Sequence, residues 1–175
     1  LLVAGCAAPL LPPYPSQPLS TYSDVVELDG LRVAAHPVTN KEMLLRYFGD
    51  DLVARGILPV LLVAANRNER ESFLIERERC SIKSGATVSS NDDLPSPNSF
   101  GALGALPFGV FWGSHLANQA ANTQFAVATN ELKTTTISPG ISARGFLFFR
   151  LPARPNEELT LAIRAAVLGK DRVVE

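Results

Sequence analysis

Two histidines and two cysteines are all this 175-residue chain offers to nucleophilic, redox or transition-metal chemistry beyond its carboxylates: His36, His115, Cys6 and Cys80. The strong spacings are missing. There is no HExxH helix, no CxxC pair, no phosphate-binding loop of the GxxxxGK type and no GxSxG elbow, so no catalytic residue, cofactor or metal ligand is assigned and any enzyme site would be assembled from scattered residues. His36, beside Pro37, reads as a turn residue. His115 lies in an uncharged stretch and reads as a helix cap or a pH-sensing imidazole, the cap being preferred. The aspartate pair Asp50-Asp51 fits a helix N-terminus, where the macrodipole favours negative charge, and Asp92-Asp93 fits a solvated loop. Neither brings together the six or more oxygens that calcium takes. Cys80 falls in a predicted strand and is expected to be a buried small residue, because an unpaired thiol in an oxidising compartment is a liability unless it is covered.

Cys6 is different, because of what precedes and follows it. Aliphatic and then small residues, Leu2-Val3-Ala4-Gly5, lead into the cysteine as at the end of a secretory signal and its cleavage site. With no initiator methionine and no basic region ahead of them, residues 1–5 are read as the remnant of a signal peptide. Val3-Ala4-Gly5-Cys6 resembles the lipobox of bacterial lipoproteins. The resemblance implies that Cys6 carries a diacylglyceryl group, that the peptide before it is removed, and that the new amino terminus is acylated. Ala7 stands where inner-membrane lipoproteins typically carry aspartate, so the resemblance further implies a cell-envelope address at the outer membrane, facing the periplasm. Five prolines between Pro9 and Pro18 then disfavour helix and sheet. Residues 6–24 are therefore expected to form a tether, whose 18 residues from Ala7 to Asp24 would span roughly 55 Å if fully extended.

The rest, 25–175, has the composition of one globular domain. The whole chain, 46% hydrophobic and 19% charged, is neither disordered nor fibrous in composition. A net charge of −1 gives no basic face for phosphates, so nucleic acid is set aside as a partner.

The elements that must carry any site are mainly β. Leu28 to Ala35 alternates around an Asp29-Gly30 turn, with Leu31, Val33 and Ala35 on one face. Thr39-Asn40-Lys41-Glu42 matches a capping box with Thr39 as the cap, opening a short helix that stops at Gly49. Asp50 to Gly56 forms a second single turn. Ile57 to Ala65 is apolar on both faces and reads as a buried strand with Pro59 near its start. Ser72 to Lys83 is expected as a second long strand forming a hairpin with it, with Glu76 to Arg79 as a solvated edge. Ser138-Pro139-Gly140 signals a type II turn. Arg144 to Arg150 and Glu158 to Leu168 read as strands, and Val173-Val174 as a closing one. Six or seven strands with short turns predict a two-layer antiparallel sandwich. Its Ser138-Pro139-Gly140 turn and Gly145-Phe146-Leu147-Phe148-Phe149 strand look similar to immunoglobulin-like modules of secreted bacterial proteins.

Between Asp93 and Glu131 no charged residue occurs. Phe108, Phe111 and Trp112 would suit contact with a membrane or a partner, and Gly109 and Gly113 would let helices approach closely. The run is too short to cross a bilayer as a helix. The preferred alternative is a Gly/Ala-rich helical insertion at about 94–133 that covers a sheet face, with Leu116, Ala120, Val127 and Leu132 at helical spacing. The expectation is a non-enzymatic, lipid-anchored envelope protein: a binding or structural module held to the membrane by Cys6 and meeting an envelope protein partner. The alternatives are a membrane-active module using Phe100 to Trp112, and an enzyme accessory domain.

Overall fold

The computed structural model describes residues 11–15, 17–84, 87–90, 113–151, 158–170 and 172–174, with the side chains of 113–120, 172 and 174 outside that description. It is mainly β, and among the described residues every pairing between the strands named below is antiparallel. The strands are β1 (Val25–Leu28), β2 (Leu31–Pro37), β3 (Ile57–Asn66), β4 (Phe73–Ile75), β5 (Ser81–Ser84), β6 (Thr87–Ser90), β7 (Thr135–Ile137), β8 (Ser142–Arg150), β9 (Leu159–Ala162), β10 (Ala165–Val167) and β11 (Arg172–Val174). Among the described residues two α-helices join them, α1 (Lys41–Phe48) and α2 (Gly113–Asn130).

The main sheet runs β1-β2-β3-β8, and it is built around β3, which is buried along its whole length. Both faces of β3 are covered, which is why its sequence does not alternate. On one face Leu58, Val60, Leu62 and Ala64, with Leu147 and Phe149 of β8, pack against Phe73, Ile75, Ile82, Ile137, Ala165 and Val167. Those residues belong to the two opposing sheets, ordered β11-β10-β4-β7 and β6-β5-β9. On the other face Ile57, Leu61, Val63, Phe146 and Phe148 meet Leu44, Tyr47 and Phe48 of α1 and Ala126 and Val127 of α2. The described part of α2 thus packs on this face of the main sheet. Pro59 sits third in a central strand without penalty: its carbonyl accepts from Val38 N at 2.9 Å, just past the end of β2, so the missing donor falls where that ladder stops.

Local sequence chemistry explains most ends. Asp29 and Gly30 both take positive φ, 55° and 85°, as the tight turn between β1 and β2 requires. Helix α1 stops at Gly49, whose φ is 73°. Ile141 N donates to Ser138 O at 3.0 Å with Gly140 at φ 75°, the expected turn. The cap of α1 is Asn40 rather than Thr39: Asn40 Oδ1 accepts from Met43 N at 3.0 Å, which leaves Glu42 one place too early to close a capping box.

Four further expectations are corrected. Ser72 to Lys83 is not one strand and makes no hairpin with β3. Arg77–Arg79 winds into a 3-10 turn, anchored by Thr134 Oγ1 accepting from Arg77 N at 3.1 Å, and this divides β4 from β5. Glu158 to Leu168 likewise breaks between Ala162 and Ala165, so that β9 and β10 join different sheets. His36 lies within β2, opposite Leu61, not in a turn. From Leu11 onward the proline-rich segment does not project as a tether: Leu11, Tyr14, Leu19 and Tyr22 pack on the helix-side core. Tyr14 sets its ring 4.9 Å from both Tyr47 and Phe146. Prolines forbid this segment a place in a ladder, but they leave its aromatic and aliphatic side chains free to cover the sheet as an extended strap.

Candidate functional site

Among the described residues, those first considered for chemistry are not gathered into one site. Cys6, Asp92, Asp93, Phe108, Phe111 and Trp112 lie outside the described residues. His115 falls in the first turn of α2, with its side chain outside the description. His36 is exposed on β2, its ring 6.1 Å from that of Tyr22. Asp50 is committed to structure: one oxygen accepts from Asp51 N at 2.8 Å and the other pairs with Arg55 at 2.6 Å. Asp51 caps the following turn, accepting from Ala54 N at 3.1 Å. Cys80 is fully buried just after the 3-10 turn, and burial pushes its thiol up to about 11, which removes the thiolate a nucleophile needs. Among the described residues no three of His, Cys, Asp and Glu converge as a metal site.

Charged side chains that do cluster serve as ties. Arg77 pairs with Glu131, and Lys133 joins Glu131 at 2.6 Å, fastening the exit of α2 to the 3-10 turn. Glu78 is held below the usual carboxylate range by a backbone amide and by the Thr134 hydroxyl, which donates to it at 2.7 Å. Asn66, 1% exposed at the end of β3, donates to the carbonyls of Glu71 and Ile137 and accepts from Asn68 N. These contacts fix loops rather than bind.

The concave surface with the clearest chemistry is apolar. A groove of about 280 Å³ runs beside β1, with a floor of Leu31, Val33 and Ala35 and a far wall of Leu161, Ile163 and Ala165. Register explains its composition. Val26 pairs with Val33 and Leu28 with Leu31, so the alternation that buries the β2 side chains continues across the Asp29-Gly30 turn onto β1. The opposing sheets leave these β1 side chains largely uncovered. Val26 is consequently 68% exposed and Leu28 42% exposed, on a strand whose outer edge no other described strand pairs. Asp24 stands at one end of the groove, and Glu27, paired with Arg32 at 3.3 Å, is on the strand's other face.

The sequence marks Leu31, Val33 and Ala35 as one face of a strand and Glu158 to Leu168 as a half-buried strand, but not the groove between them. The signal was the pair Val26 and Leu28, in phase with Leu31 and Val33 yet belonging to the outermost strand. Among the described residues no helix is long and apolar enough to cross a membrane. No protein-family model, no curated protein and no solved structure matches the chain.

Proposed function

We propose that this protein is a non-enzymatic, lipid-anchored component of a bacterial cell envelope that binds a partner protein through the groove beside β1. The groove carries the binding part of this reading. Protein surfaces usually blunt an edge strand with charge, proline or a bulge, because its unpaired N–H and C=O groups invite another strand. Here the edge presents exposed Val26 and Leu28 above an apolar floor. That combination suits an extended segment of the partner, whose backbone would pair with β1 while alternate apolar side chains enter the groove. Anchoring rests on Val3-Ala4-Gly5-Cys6, with acylation at Cys6 supplying the two or more chains that firm membrane attachment needs. The face-to-face antiparallel sheets support the finer reading of an immunoglobulin-like sandwich, carrying helices on the main sheet's second face.

Photo-crosslinking in the native host tests the groove. A benzophenone amino acid at position 26 is expected to give one discrete adduct that the same probe at position 173, on the far sheet, does not give. Leu28→Lys, on an exposed side chain, is expected to abolish that adduct while the fold persists. Equal labelling from both positions, or an adduct indifferent to Leu28→Lys, would overturn the assignment.

A further inference from the structure

Where the chain leaves the proposed anchor limits how the domain can sit on the membrane. Cys6 precedes Leu11 by five residues, and five residues reach at most roughly 17 Å. Leu11 is not free to swing away. Its Cδ1 lies 3.2 Å from where a Cβ on Gly49 would stand, and Thr123 Oγ1 lies 3.7 Å from the same point, so Leu11 is wedged at the end of α1 beside the middle of α2. Tyr14, Leu19 and Tyr22 hold the rest of the strap on the same side of the main sheet. A lipid on Cys6 therefore draws the helical layer toward the bilayer, and leaves the outer face of the β11-β10-β4-β7 sheet pointing away.

The surface of that layer suits a lipid headgroup region. The exposed residues of α2 from Ala121 onward are Ala121, Phe125, Ala128 and Thr129, without a single charge, and Phe125 is 63% exposed. On α1 the exposed residues are Lys41, Glu42, Leu45 and Arg46, with Leu45 at 43%. An aromatic and an aliphatic side chain at interfacial depth, bordered by long cations whose heads can reach phosphates, is the pattern of a surface lying on a membrane. Resting on the lipid-anchored reading, we infer that the exposed face of α1 and α2 is a bilayer-contact surface, with Phe125 and Leu45 entering the interface.

Fluorescence quenching tests this without depending on acylation in the host. The full chain carrying Trp112→Phe, which removes its one tryptophan, receives a reporter by Phe125→Trp or, as the control, Val173→Trp on the outer face of the far sheet. Each variant is coupled through Cys6 to a maleimide phospholipid in phosphatidylethanolamine–phosphatidylglycerol vesicles, Cys80 being buried and out of reach. Lipids brominated near the top of their acyl chains are expected to quench the position-125 reporter at least about twofold and to leave the position-173 reporter unchanged. In the otherwise unaltered chain, amides of 121–129 are expected to exchange more slowly once coupled. No quenching at 125, or equal quenching at both positions, overturns the inference. An unmodified Cys6 in the host would refute the anchor separately, because the chemical coupling supplies it here.

Discussion

Gly145→Ala isolates a requirement that packing alone imposes. Gly145 lies inside β8 with no positive φ, so its backbone conformation would suit alanine. What forbids a side chain is the segment leaving α2, which crosses β8 at this point: Leu132 N donates to Phe146 O at 2.8 Å, and Glu131 bridges Phe146. A Cβ on Gly145 would stand 2.6 Å from Leu132 Cα and 2.7 Å from Leu132 N. Both are backbone atoms, so no rotamer change relieves the overlap and the crossing segment must lift. Overpacking of this kind costs about 1–3 kcal/mol, and loss of the Leu132–Phe146 hydrogen bond adds about 1 kcal/mol. At about 2–4 °C per kcal/mol for a domain of this size, the unfolding midpoint should fall by about 4–16 °C. Calorimetry on the purified chain measures it, and Leu132→Ala in the same background should not restore stability, since the clashing atoms remain. A midpoint equal to that of the parent protein would refute the close crossing.

Other consequences are as direct. Asn66→Ala removes three hydrogen bonds at a buried position and should cost about 2–4 kcal/mol in urea unfolding with an unchanged m-value. Asn40→Ala deletes the cap of α1 and should cost about 1 kcal/mol, whereas Thr39→Ala should be near neutral in the same assay. Because burial raises the Cys80 thiol from 9.0 to about 11, the folded state favours the protonated form. That stabilisation is complete below pH 9 and is lost as pH rises toward 11. Unfolding free energy should decline across that interval, and Cys80→Ala should flatten the decline while shifting the whole curve down for the cavity it leaves.

Which features could be read ahead of the structure follows from the range of the interactions that fix them. Asp29-Gly30, Gly49 and the Ser138-Pro139-Gly140 turn are decided within a few residues, and each stands where its own chemistry placed it. The unbroken apolarity of β3 correctly announced a strand covered on both faces. The errors lie where distant contacts choose between locally acceptable conformations. Nothing near Glu76 to Arg79 specifies a 3-10 turn; its anchors, Thr134 and Glu131, arrive from more than fifty residues away. The break between β9 and β10 is likewise a choice of partners, β5 for one and β4 for the other, hidden inside a regular alternation. The short β6 is rich in Ser and Thr and carries one apolar residue, Val88, so it had no pattern to find. Prolines marked the strap as unable to pair, but only the fold could supply Tyr47 and Phe146 as the surface for Tyr14. The groove escaped for the same reason, since its two walls are more than a hundred residues apart in the chain.

The proposed lipid anchor, on which the proposed membrane-contact face of α1 and α2 also rests, depends first on the chemistry of Cys6. Mass spectrometry of the amino-terminal peptide from membranes of the native host, compared with Cys6→Ser, measures that directly. The mature chain is expected to begin at an acylated, diacylglyceryl-modified Cys6, and Cys6→Ser is expected to abolish both processing and membrane recovery. An unmodified peptide continuing through Leu1 to Gly5 would contradict it.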